Sequence, residues 1–185
     1  MIITPAKEDL IQNDFIETSF PNKELSRAKR NFKKLNTWDQ FYLASIYNWD
    51  DGVEILNWII TSKKCAKATA SLIFWSSDPD YYLNNKKQLR PEDEKVKDLL
   101  LNIIEKFKSN SFNWNLISFR LTSFSLESNV PENIQDWNLP EELIKPIKGL
   151  PIISLGIIQN KIWNYQRKKR LQKREKKKAQ RKKSA

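Results

Sequence analysis

The chain has 185 residues, with 33 Lys and Arg against 22 Asp and Glu and a net charge of +11. It has no His, one Cys and three widely separated Gly. It therefore lacks the parts for His general bases, Ser-His-Asp or Cys-His triads, His-ligated metals, disulfide frameworks and glycine-rich phosphate loops.

In chain order the sequence reads as a series of short helices. Pro5–Ile16 and Asn22–Leu35 come first, the second opening on a capping residue and closing on a basic run. Thr37 can cap a third helix, in which Trp38, Phe41, Tyr42, Leu43 and Ile46 line one broad face. The string Asn48-Trp49-Asp50-Asp51-Gly52 breaks it. Val53–Thr61 places Ile55, Leu56, Ile59 and Ile60 at helical spacing. In Ala66–Trp75 the small residues Ala66, Ala68, Ala70 and Ser71 permit close helix approach. The strongest pattern follows Arg90: Pro91 at the first helical position, acids Glu92, Asp93 and Glu94 in the first turn, and an apolar stripe of Val96, Leu99, Leu100, Ile103, Ile104 and Phe107. Lys106 and Lys108 close that helix. The aromatic run 112–121 predicts a short extended segment. Pro131, Pro140, Pro146 and Pro151 predict loop with one short helix near Glu141–Lys145. From Ile152 onward the sequence can be helical to its end.

The charge is lopsided. Twelve of the 33 basic residues and one of the 22 acids, Glu175, fall in residues 167–185, so positions 1–166 are formally neutral. The tail residues Arg167, Lys168, Lys169, Arg170, Lys173, Arg174, Lys176, Lys177, Lys178, Arg181, Lys182 and Lys183 form a phosphate-attracting segment, the electrostatic footprint of nucleic-acid binding. Against this stands a solvated end that aids solubility; an anionic membrane surface ranks behind both. The stretch MIITPAKEDLIQNDF lacks the basic start and apolar run of a secretory signal. The longest uncharged stretch, 149–160, is shorter than the roughly 20 residues that span a bilayer. A cytoplasmic protein with no transmembrane segment is expected.

Asp50 and Asp51, with Glu54, pose a choice between a metal or acid–base pair and a cap for the helix that begins at Val53. Capping is the preferred reading, because Asp is a leading N-cap residue. Of the seven Trp, Trp38 and Trp75 sit on or beside apolar faces and read as core. Trp49 and Trp163 are better candidates for exposure, with burial still preferred for Trp49. Cys65, between Lys64 and Lys67, reads as a buried or merely exposed thiol, not a nucleophile, since no partner base is in sight.

The strings Phe41-Tyr42-Leu43-Ala44-Ser45-Ile46-Tyr47-Asn48-Trp49-Asp50-Asp51-Gly52, Leu56-Asn57-Trp58-Ile59-Ile60 and Lys64-Cys65-Ala66-Lys67-Ala68-Thr69-Ala70-Ser71-Leu72-Ile73-Phe74-Trp75 resemble an uncharacterised bacterial family, domain of unknown function 4274. The similarity extends toward Tyr81-Tyr82 and Leu139-Pro140-Glu141-Glu142, and the basic tail looks additional to it. The resemblance implies a small bacterial domain with no established activity.

The expected fold is mainly α. It has N-terminal helices over 1–36, a helical domain over 37–150 with a loop-rich part near 109–150, an apolar helix start over 151–166 and a polybasic tail over 167–185. The expected function is non-catalytic: a protein–protein interaction module, an immunity-like protein being one version, with Asn48, Trp49, Asp50 and Asp51 as its surface. The alternative is accessory nucleic-acid or ribosome binding through the tail. Neither a cofactor nor a metal is expected.

Overall fold

A computed structural model describes residues 2–16, 22–84, 89–112, 116–132 and 138–154. The fold is mainly helical, as expected. Helix α1 (Pro5–Ile11) runs into a π-helical turn, Gln12–Ile16, instead of continuing to Ile16 as an α-helix. The wider turn buries Phe15 and Asp14. Phe15 meets Phe32 edge-on at 6.4 Å. The Asp14 carboxylate accepts from Asn31 Nδ2 at 2.6 Å and pairs with Arg27 at 3.3 Å. Helix α2 (Asn22–Phe32) thereby lies against the π turn.

Helix α3 (Thr37–Ile46) is capped one residue earlier than the sequence reading placed it. The Asn36 side chain accepts from the N–H groups of Trp38 and Asp39 at 2.8 and 3.0 Å, and Asp39 Oδ2 accepts from the Asn36 N–H at 3.0 Å. This reciprocal box satisfies three donors at the start of the helix. Helix α4 (Glu54–Thr61) follows, then α5 (Lys67–Ser76), α6 (Pro79–Asn84) and α7 (Pro91–Lys108). Helix α6 holds the Tyr81-Tyr82 pair and was not foreseen. Helix α7 buries Val96, Leu99, Leu100, Ile103 and Phe107 of the stripe its spacing predicts, with Ile104 half-buried beside them.

Helix α5 is the centre of the fold. Every residue from Lys67 to Trp75 is buried, the behaviour of a helix enclosed on all sides. Helices α3, α6 and α7 pack on it. Its one charged residue, Lys67, reaches Glu142 at 2.6 Å. That pairing spares the buried ammonium the cost of isolation.

In its described residues the loop-rich part is tied down by isolated bridges. Ile117 bridges Leu150 and Phe119 bridges Ile147, so the extended segment expected over 112–121 forms isolated bridges in its described part. A Cβ on Gly149 would stand 2.5 Å from the Ile117 carbonyl carbon and 2.7 Å from Leu116 O. No side chain fits between the two segments there. Phe124 connects this region to α3, 5.8 Å from Phe41 and 5.6 Å from Phe119. Helix α8 (Glu141–Ile144) forms where a short helix was expected. The helix expected from Ile152 onward does not begin there: β2 (Ile153–Ser154) pairs in parallel with β1 (Ile2–Ile3). Residues 155–185, including Trp163 and the whole basic tail, lie outside the described residues.

The Trp75 indole is fully buried, its Nε1 donates to Leu143 O at 2.9 Å, and its own carbonyl accepts from Asn129 Nδ2 at 2.7 Å. Trp75→Phe leaves Leu143 O unpaired and is expected to lower unfolding free energy in urea by about 2 kcal/mol. Ser71 provides the contrast. Its buried hydroxyl has no partner among the described residues, so Ser71→Ala is expected to be neutral or stabilising by up to about 1 kcal/mol in the same assay.

Candidate functional site

The string from Tyr47 to Gly52 builds a single 3-10 turn, Trp49–Asp51, between α3 and α4. Asn48 opens it: its side chain accepts from Asp50 N at 3.2 Å and its carbonyl accepts from Asp51 N at 3.2 Å. Gly52 closes it, donating its N–H to Trp49 O at 3.1 Å with φ at +81°. Nothing crowds a Cβ there, so the glycine is required by its backbone angle and not by space. Tyr47 is buried, Trp49 is half-buried against the core, and Asn48, Asp50 and Asp51 are exposed. Burial pushes the Tyr47 hydroxyl well above its ordinary range, helped by the negative charges of Asp51 and Glu54.

Neither aspartate caps α4. Its N-cap is Val53, and no side chain bonds its first amides. The expectation of an Asp50 or Asp51 cap fails because Gly52 and Val53 stand between the acids and the first helical residue. The acids belong instead to the preceding 3-10 turn, and their side chains are left facing outward.

What they face is a cleft of ≈ 870 Å³ between this turn, the start of α4 and the first half of α7. Asp50, Asp51 and Glu54 line one wall; Glu92, Asp93 and Asp98 line the other, with Arg90 and Lys95 the two cations. Several of these charges are already engaged. Arg90 binds Asp93 through Nε at 2.9 Å and Nη2 at 3.2 Å, and Glu92 through Nη1 at 3.0 Å. The Arg90 hydrogen bond holds the Asp93 carboxyl below the usual carboxylate range, and the same bond raises Arg90. Glu54 accepts from Trp58 Nε1 at 2.9 Å. Asp50, Asp51 and Asp98 keep side chains without partners among the described residues. Among those residues no group of three or more His, Cys, Asp or Glu is placed to hold a metal ion.

Both walls lie inside one stretch of sequence. Residues 38–108 match the profile of the domain of unknown function DUF4274. The resemblance read from residues 41–75 thus holds over a longer range, which takes in Tyr81-Tyr82 and ends before Leu139. No curated protein is matched, and no solved structure is matched. Every residue lining the cleft belongs to the DUF4274 stretch. The sequence pointed to one wall, Asn48 to Asp51. It missed the other, because Glu92, Asp93 and Glu94 were accounted for by the helix dipole alone. Arg90 just ahead of three acids was the available signal. No helix among the described residues is long and apolar enough to cross a membrane.

Cys65 is fully enclosed, with its thiol 3.6 Å from Ala66 O. The flanking lysines do not activate it: Lys64 reaches the carbonyls of Lys33 and Leu35, and Lys67 reaches Glu142. Burial pushes the thiol up to about 12, against the opposing charge of Lys106, which lowers it. A raised folded-state pKa favours the fold below the unfolded thiol's pKa, near 8.5. That contribution is lost as pH climbs from there toward 12. Native protein at pH 8 is expected to resist a thiol-reactive disulfide reagent and to react in full once unfolded in urea; rapid native labelling contradicts this burial.

Proposed function

We propose that the protein is a non-catalytic binding module whose DUF4274 stretch takes a basic segment of a protein partner into the cleft between the Trp49–Asp51 turn and α7. The observation that supports this is the charge of the cleft: six carboxylates against two cations, with Asp50, Asp51 and Asp98 left over after the internal pairs are made. Half-buried Trp49 supplies an aromatic surface beside them, the residue type that anchors interfaces. Hydrogen bonds to Asn48 and from Gly52 fix the backbone of Asp50 and Asp51, which reduces the ordering cost of binding. A fluorescent lysine-rich peptide is a suitable probe. Asp50→Asn/Asp51→Asn is expected to weaken its binding roughly three- to tenfold at low salt, and both proteins should lose affinity as salt rises. Equal binding by the variant refutes the reading.

A second reading is supported by composition: twelve basic residues fall within residues 167–185. We propose that this segment binds nucleic acid without sequence preference, through phosphate contacts that release counterions. Deleting 167–185 is expected to abolish retention on RNA and DNA columns, and the intact chain should elute at moderate salt. Retention that survives the deletion removes this reading.

A further inference from the structure

A second pocket, of ≈ 420 Å³, lies where the end of α2, the start of α3 and the end of α4 meet. Its charged lining is all of one sign: Lys29, Lys33, Lys63 and Lys64, with no carboxylate among the described residues. Its apolar lining is Leu35 and Trp58, both buried, and half-buried Phe32, whose ring lies 5.8 Å from Trp58. Lys29 Nζ stands 5.9 Å from the centre of the Trp58 ring. Lys64 spends two of its protons on the carbonyls of Lys33 and Leu35, at 3.2 and 2.9 Å. Lys33 and Lys63 are exposed and have no partner among the described residues.

Gln40 lines the same pocket and is 1% exposed. Its Nε2 donates to Ser62 Oγ at 3.1 Å, while Oε1 has no partner among the described residues. Ser62 Oγ also accepts from the Lys64 N–H at 3.1 Å. A hydroxyl both donates and accepts, so Ser62 can hold the carboxamide in either orientation. With the amide turned over, Gln40 accepts from Ser62 and its NH₂ becomes the unpaired end. An unpaired buried amide is costly, and a ligand oxygen at that position recovers the loss.

We propose that this pocket binds a phosphoryl group carried on a small planar or apolar body. Four ammonium groups with no opposing acid call for a multivalent anion. Ammoniums act as point charges and suit a tetrahedral phosphate, whereas a carboxylate is better matched by the planar fork of arginine, which the pocket lacks among its described lining. With its amide turned over, Gln40 supplies a neutral donor, and Phe32 and Trp58 supply the surface for the body. The pocket is separate from the acidic cleft and draws on residues ahead of the DUF4274 stretch, Lys29 to Leu35, as well as within it.

Phenyl phosphate and inorganic phosphate, titrated calorimetrically into the full-length protein at physiological salt, test this. Phenyl phosphate is expected to bind saturably and more tightly than inorganic phosphate. Lys33→Ala/Lys63→Ala, at exposed positions that leave the fold intact, should weaken it at least about tenfold. Gln40→Glu, shown to be folded by circular dichroism, should weaken it as much by placing a carboxylate against the anion. Lys176→Ala/Lys177→Ala/Lys178→Ala in the tail should bind like the wild type. The proposal is overturned if the wild type gives no saturable heat, if the Lys33/Lys63 variant keeps its affinity, or if the tail variant loses as much as the pocket variant.

Discussion

The hydrogen bond from the Trp75 indole to Leu143 O joins two parts of the chain that sequence alone keeps apart. On one side is α5, buried all round. On the other is the proline-punctuated region, which has little regular structure among its described residues and depends on what it packs against. Asn129 reaches back to the Trp75 carbonyl, Glu142 to Lys67, and Phe124 to Phe41. Each contact satisfies a buried polar group or fills space beside α5. Loops with few internal hydrogen bonds hold their shape only when such groups are met. The position of α7, and with it the far wall of the acidic cleft, follows from packing on the same helix.

Charge is separated on a small scale within a domain that is neutral in sum. Trp58 stands at the divide: its indole N–H donates to Glu54, which lines the acidic cleft, and its ring lies near Lys29 at the basic pocket. One side chain thus serves both cavities, using a polar edge for one and an aromatic face for the other. Net charge could not reveal this, because it sums over regions that three-dimensional packing sorts by sign. The figure of +11 belongs to the last nineteen residues and says nothing of either cavity.

The helical elements were legible wherever apolar residues recur at helical spacing with clear end signals. The stripe from Val96 to Phe107 is the plainest case, and α5 announced itself by its small residues. Signals that depend on three dimensions were not legible. The π turn at Gln12–Ile16 continues a helical pattern without a break, so spacing could not separate it from α1. Asn36 and Thr37 are both good caps, and the choice between them rests on Asp39 completing the box. The turn at Trp49–Asp51 was found, but its acids were assigned to the wrong partner, since only the backbone at Gly52 and Val53 shows that they stop short of α4. Half of the cleft came from Arg90 to Asp98, more than thirty residues further along the chain than the turn it faces.

The short parallel pairing of Ile2–Ile3 with Ile153–Ser154 joins nearly the first and last described residues. Contacts between segments so far apart are the slowest for a chain to find. During synthesis this one has no counterpart until the ribosome has released residue 154. Until then, the edge of β1 lacks its strand partner, although β1 also packs on α3. The contacts of α5 with α3, α6 and α7 fall within residues 37–108 and can therefore form before residue 154 is available for this pairing.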